Sequence, residues 1–288
     1  MEILTNIEDV QIKTAEWVRE GKTIGFVPTM GYLHEGHERL LEEARKENDH
    51  VILSIFVNPL QFGENEDLDQ YPRDEEHDTL IAKKYETDLV FLPHNETMYP
   101  RPMSMNLSVS KRADVLCGRS RPGHFEGVVT VLTKLFNICR PTRAYFGMKD
   151  AQQVAVVDAL IQDFNIPVTL RRVPTVRESD GLAKSSRNVN LTSQERREAP
   201  MIQEALYLGR KQVENGTKDP IEVIKATRQF LDSRTRGKID YIELLSYPEL
   251  EPVTEINQTV ILAAAVYYDR ARLIDNVVFD QTGKLEIG

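Results

Sequence analysis

Thr23-Ile24-Gly25-Phe26-Val27-Pro28-Thr29-Met30-Gly31-Tyr32-Leu33-His34-Glu35-Gly36-His37 joins a short apolar segment to a polar loop that carries two glycines and two imidazoles. Residues 23–27 have the continuous apolar character of a buried strand. The following residues 36–47 are rich in strong helix formers, with Leu40, Leu41 and Ala44 spaced to share one face. A strand, a glycine-bearing turn and a helix in that order present backbone N–H groups and a positive dipole end at the loop. Gly36 between the imidazoles of His34 and His37 admits a close backbone approach. The combination predicts a pocket for a polyphosphate.

The same alternation continues on both sides. Residues 6–20 read as an amphipathic helix stopped by Gly21. Strands are expected at 51–57, 88–92, 144–146 and 168–173, and helices at 73–85, 125–139 and 151–163. Such alternation predicts an α/β fold: a parallel sheet with helices on both faces, whose ligands sit beyond the carboxyl ends of the strands. After about residue 190 the texture changes to long helices near 193–215 and 219–235, then strands at 239–246, 259–268 and 272–280. Tyr268-Asp269-Arg270-Ala271 reads as a tight antiparallel connection. We therefore expect two domains, 1–180 and a smaller α+β domain at 181–288.

Bulk properties narrow the function. The 288 residues are 41% hydrophobic, enough for a substantial core, and the net charge of -9 argues against a nucleic-acid surface. Cys117 and Cys139 match no metal or redox spacing and read as buried or incidental thiols, as suits a reducing compartment. The acidic N-terminus lacks the features of a signal peptide, and the longest apolar run, Val260 to Tyr268, is too short to span a bilayer. A cytoplasmic location is expected. Zinc is a poor match for His34-Glu35-Gly36-His37, because two helical ligands need a four-residue spacing.

Four further loops follow strands. In Phe56-Val57-Asn58-Pro59-Leu60-Gln61-Phe62, Gln61 is either a pocket amide able to meet a hydroxyl and a carboxylate, or a solvated turn residue. In Gly147-Met148-Lys149-Asp150-Ala151-Gln152-Gln153, Lys149 stands at a helix mouth as a point charge for phosphate, or forms a solvated pair with Asp150, itself a candidate N-cap. Gln153 falls one turn into that helix. Asp180-Gly181-Leu182-Ala183-Lys184-Ser185-Ser186-Arg187-Asn188 combines a glycine hinge, two hydroxyls and flanking cations, as a mobile anion clamp would; an ordinary polar turn is the alternative. Gly118-Arg119-Ser120-Arg121-Pro122-Gly123-His124-Phe125-Glu126-Gly127, with two arginines and three glycines before a helix, fits a phosphate- or pantoate-facing loop and a structural turn equally well.

Together these loops resemble the pantothenate synthetase (pantoate–β-alanine ligase) family, of the HIGH-type nucleotidylyl transferase superfamily. The resemblance is carried by Pro28–His37, Phe56–Phe62, Arg121–His124, Phe146–Gln153 and Val173–Arg177 with Lys184–Asn188, and it covers nearly the whole chain. It implies a Rossmann-like domain at 1–180 binding ATP and pantoate, and a C-terminal domain carrying the phosphate-clamping loop at its start. ATP is implied across Met30, Gly31, Tyr32, Leu33, His34, Glu35, Gly36 and His37, with His37 as proton donor. Gly147, Met148, Lys149, Asp150 and Val176 are implied around the adenosine, and Lys184, Ser185, Ser186 and Arg187 over the phosphates. Gln61 and Gln153 are implied on pantoate, with Gln61 also bordering β-alanine. The catalytic set expected is His34, His37, Lys149, Ser185, Ser186 and Arg187. The family often has an apolar Met or Leu where Lys184 stands, which leaves the role of that side chain open, while its backbone could still serve. Magnesium and a homodimer are implied as well. Two rival readings are another nucleotidyl transferase, such as a cytidylyltransferase, and a silent nucleotide- or RNA-binding module.

Overall fold

The computed structural model describes residues 1–63, 68 and 71–286, and resolves two compact units. The first comprises Met1–Ala113, Arg121–Gly147 and Val156–Val173. It holds strands β1 (Glu2–Leu4), β2 (Ile24–Thr29), β3 (His50–Ile55), β4 (Leu89–Phe91), β5 (Arg143–Gly147) and β6 (Thr169–Val173) in one sheet of order β1-β4-β3-β2-β5-β6. Every pairing is parallel. Helices α1 (Ile7–Arg19), α2 (Glu35–Glu47), α3 (Glu75–Lys84), α4 (Asn95–Met98), α5 (His124–Cys139) and α6 (Ala151–Asp163) run between the strands, with α6 crossing from the second unit into the first. The parallel α/β sheet expected from the alternation is present.

Strand order places the histidine loop. From β2 the chain moves outward through β3 and β4, then returns to the other side of β2 as β5. The loop after β2 therefore lies at the reversal of strand order, where open α/β sheets bind ligands. Pro28 sharpens that reversal. The carbonyl of Ile24 accepts from Thr142 N–H, so alternate β2 residues from Ile24 onward, Pro28 included, face β5. Pro28 has no N–H for a ladder, and the β2–β5 register stops at Phe26↔Ala144 while β2–β3 continues to Thr29↔Ile55.

Burial explains why these segments form. Ile24, Phe26, Val27, Val51, Ile52 and Leu53 are fully buried, and Leu40, Leu41 and Ala44 of α2 pack with Val27, Val51 and Leu53 on one face of the sheet, as their spacing predicts. Cys139 is buried, and that burial pushes its thiol pKa up, away from reactivity.

The second unit comprises Asp114–Ser120, Met148–Ala155 and the chain from Pro174 onward. Helices α7 (Ser193–Glu198), α8 (Met201–Glu214) and α9 (Pro220–Asp232) precede the antiparallel sheet β7 (Lys238–Ser246), β8 (Val260–Tyr267) and β9 (Arg272–Phe279). The β8–β9 turn closes with Tyr268 N–H on Ala271 O, as its sequence predicts. One expectation is corrected and one element is added. The single helix expected at 193–215 is broken at Ala199–Pro200, because proline supplies no N–H to continue α7. Strand β1 lies in an N-terminal segment that its sequence had not marked as structured. Among the described residues no helix is long and apolar enough to cross a membrane.

Candidate active site

Two histidines open α2 by capping each other. His34 is the extended N-cap residue, and its Nδ1 accepts from Gly36 N–H at 3.1 Å. His37 reaches back, and its Nδ1 accepts from His34 N–H at 3.3 Å. This is a capping box built from imidazoles in place of the usual hydroxyl and carboxylate. The rings lie 4.1 Å apart between centroids. A ring whose Nδ1 accepts a hydrogen bond carries its neutral-state proton on Nε2. Both imidazoles are thus oriented as Nε2–H donors.

The backbone of the loop differs from the sequence expectation. Its N–H groups were expected to be available to an anion, but several are engaged within the protein. Tyr32 N–H donates to Asp78 Oδ2 at 2.9 Å and Leu33 N–H to Asp78 Oδ1 at 2.7 Å. His37 N–H donates to His34 O, and Gly31 N–H to Thr29 Oγ1. Gly36 also serves another purpose: a Cβ there would lie 2.8 Å from His34 Cε1, so the absent side chain makes room for the capping ring. The donors this loop presents are therefore chiefly its imidazoles.

Asp78 is the buried partner of this loop that sequence reasoning missed. It is 1% exposed, on α3, and burial pushes its pKa above the ordinary carboxylate value against the opposing pull of the two N–H bonds. One signal was available: Asp78, Ile81 and Ala82 fall at i, i+3 and i+4, an apolar stripe with one acid in it. Gly31 (φ +86) and Tyr32 (φ +53) form a left-handed pair over this carboxylate. A Cβ on Gly31 would approach Asp78 Oδ2 to 2.9 Å.

Gln61 is buried, not solvated. It is 8% exposed at the end of a 3-10 turn, Pro59–Gln61, that follows β3. Its Nε2 donates to Met30 Sδ at 3.1 Å, and its Oε1 accepts from Asn58 Nδ2 at 3.1 Å. Asn58 is fixed in turn by Tyr99 Oη–H at 2.8 Å and by Gly127 O at 3.1 Å. The Arg121–His124 loop resolves here as a brace: His124 Nδ1 meets Gln61 O at 2.9 Å, and Arg121 Nη1 meets His124 Nε2 at 3.1 Å. Gly127 lets α5 approach this turn closely.

The remaining predicted residues lie mostly in the second unit. Gly147 ends β5, paired with Val173 of β6. Met148–Asp150 form a 3-10 turn leading directly into α6, and Asn276 Nδ2 holds the carbonyls of Met148 and Lys149 at 2.9 and 3.0 Å. Lys149 Nζ lies 3.7 Å from Asp150 Oδ2. Gln152 is taken by structure, accepting from Cys117 N–H and donating to Val115 O, whereas Gln153 is half-buried one turn into the helix.

The 176–188 segment is a braced turn. Lys184 N–H donates to Val176 O, Glu178 N–H to Leu182 O, and Gly181 (φ +93) N–H to Glu178 O. Arg177 is locked to Asp275 by two bonds of 2.7 and 3.0 Å, and Arg196 ties Glu178 and Asp180 together at 2.6 Å each. Gly181 forms the left-handed corner of this turn, a conformation glycine adopts without strain. Ser185 Oγ accepts from Arg187 N–H and caps the short 3-10 turn Ser186–Asn190, leaving Lys184, Ser186 and Arg187 half-buried. The structure brings Met30 to Gln61, His34 to His37 and Val176 to Lys184. The histidine loop and the Ser185–Arg187 turn belong to different units.

Known proteins with this arrangement are numerous. A relative from Geobacillus sp. (strain WCH70) named pantothenate synthetase is 57% identical over 280 residues, covering 97% of this chain and 99% of its own. The pantothenate synthetase of Bacillus subtilis (strain 168) is 56% identical over 97% of this chain and 98% of its own. The crystal structure of pantothenate synthetase from Thermus thermophilus superposes with a TM-score of 0.90 at 41% identity, covering 96% of this chain and 99% of that one. Pantoate-beta-alanine ligase from Francisella tularensis, complexed with beta-gamma ATP and beta-alanine, superposes at 0.77 with 35% identity over 98% of each chain. The model of the Pantoate-beta-alanine ligase family matches residues 2–278, and the chain belongs to that family.

Proposed function

We infer that this chain joins pantoate to β-alanine at the expense of ATP, through a pantoyl adenylate, releasing pyrophosphate and AMP. The observation that carries the reading is the hydrogen bond from Gln61 to Met30, which sets an acid-recognising carboxamide against the histidine loop. A carboxylate is a poor electrophile, and adenylylation gives it a leaving group. In the first step the pantoate carboxylate attacks the α-phosphorus and pyrophosphate departs; the nucleophile is already ionised, so no general base is required. The chemistry needs positioned donors where charge builds on phosphorus oxygens and leaving group. His34 and His37 supply Nε2–H groups, with His37 the proton donor, and Lys149, Ser185, Ser186 and Arg187 complete the set. Glu35 through Gly36 and Met30 through Leu33 line the nucleotide, with Gly147, Met148, Asp150 and Val176 at the adenosine and Lys184 contributing its backbone.

In the second step the amine of β-alanine attacks the acyl carbon and AMP leaves. Gln61 and Gln153 orient pantoate, Gln61 also borders β-alanine, and we assign no base for the amine. Among the described residues no group of three His, Cys, Asp or Glu is arranged to hold a metal. The magnesium implied by the family would enter with the nucleotide's phosphates and neutralise their charge. Homodimer formation and a cytoplasmic location belong to the same reading. The test is AMP release from ATP with pantoate and β-alanine present, and with each omitted. Dependence on both acids is expected. AMP or pyrophosphate formed equally well without pantoate, or pyrophosphate formed equally well with CTP replacing ATP, overturns it.

A further inference from the structure

We propose that Asp78 is a positioning residue for adenylate formation: its carboxylate staples the Gly31–Leu33 turn and thereby holds His34 and His37 in their reciprocal cap. The inference rests on the ligase reading for its kinetic arm but on geometry alone for its structural one. Two successive residues with positive φ are costly outside glycine, and here the second is Tyr32. Its N–H and that of Leu33 point inward to Asp78 Oδ2 and Oδ1, one oxygen each. Leu33 O is held from the same helix by His77 Nε2 at 3.1 Å. The next residue is His34, whose extended backbone and ring direction begin α2. The path is short: α3 fixes two N–H groups, these fix the turn, and the turn fixes the orientation of the first imidazole. Asp78 touches none of the residues placed around substrate except through backbone atoms, so it acts through them.

The experiment compares Asp78→Asn with Ile81→Val, one turn further along α3 in the same apolar stripe. The amide keeps the shape but turns one acceptor into a donor facing an N–H. With D78N we expect unchanged circular dichroism and a fall of about 100-fold in kcat for pyrophosphate release, the scale set by a misplacement of about 1 Å. KM for β-alanine is expected to stay the same. In ligand-free protein, ¹⁵N spectra of the imidazoles should show His34 and His37 moving from a fixed Nε2–H tautomer toward averaged Nδ1 and Nε2 signals. I81V, at comparable loss of Tm, should keep wild-type kcat and tautomers. Should D78N fail to fold, Gly31→Ala perturbs the same contact from the loop side and is expected to give the same kinetic and spectral signature. Wild-type kcat with unmoved histidine signals in D78N overturns the proposal, and so does an equal loss of kcat in I81V. Absence of ligase activity in the wild type removes the kinetic arm and refutes the activity reading, while the ligand-free spectra still decide the role of Asp78.

Discussion

Replacing Gly127 with alanine tests how finely α5 sets the Pro59–Gln61 turn, to which we assign pantoate. In an open helix the change stabilises by about 0.5–1 kcal/mol, since glycine has more backbone freedom to lose. Gly127 is buried, and a Cβ there would stand 2.5 Å from Gln61 N and closer still to the Leu60 carbonyl. These are backbone atoms of the Pro59–Gln61 turn, which cannot swing aside as a side chain would. Restoring ordinary contact requires the turn to retreat by about 1 Å. Overpacking of this kind costs about 1–3 kcal/mol, which outweighs the gain in propensity. The net loss should lower Tm by a few degrees, at about 2–4 °C per kcal/mol for a protein of this size. Asn58 and Gln61 both ride on the displaced turn. Pantoate affinity by titration calorimetry, and kcat/KM for pantoate, should therefore fall by up to about 100-fold. A variant that melts higher than wild type and binds pantoate equally well would refute the reasoning.

Three other expectations follow from the geometry. His37→Ala should cost about 3 kcal/mol in the adenylation barrier, the scale of one lost transition-state donor, but only about 1 kcal/mol of fold stability for its share of the cap; pyrophosphate release at the wild-type rate removes the donor role. Arg177→Met leaves Asp275 buried and uncompensated, so urea melts should show a loss of about 3–5 kcal/mol, and adding Asp275→Leu should recover most of it. For pH, burial raises Asp78 above its unfolded value, with His77 opposing and Asp74 reinforcing that shift. The native state then holds its proton more tightly, so this group's stabilisation is complete below the unfolded pKa and is lost as pH rises through the folded one. Acid should accordingly lower single-turnover adenylation by neutralising Asp78 without this group promoting unfolding; an acid limb of activity that persists unchanged in D78N contradicts the assignment.

How much of this was legible in the sequence depends on the range of the interactions. Strand–helix alternation carried the sheet because periodicity and burial are local, and the apolar stripe of α2 packs as its spacing implied. The His34–His37 loop was visible as a motif, yet its hydrogen bonding was not, because Asp78 lies far along the chain on another helix. Whether Gln61 was buried or solvated was not readable, because Tyr99 and His124, which enclose its turn together with Asn58, lie on other segments. The break at Pro200 was readable in principle, since proline's missing N–H is a local fact; the amphipathic spacing on either side had masked it. Strand β1 was not readable in that way, because three residues give no period and its identity comes from pairing with Leu89–Phe91.

The mutual bracing of the two imidazoles has a thermodynamic consequence for whatever enters. Ring rotation, normally frozen at the moment of encounter, has been surrendered here during folding, so a ligand that accepts from these rings would meet donors already aimed and lose less entropy on their account. The counterpart is a vulnerability: a proton placed on either Nδ1 releases a backbone N–H, and the start of the helix loosens together with the aim.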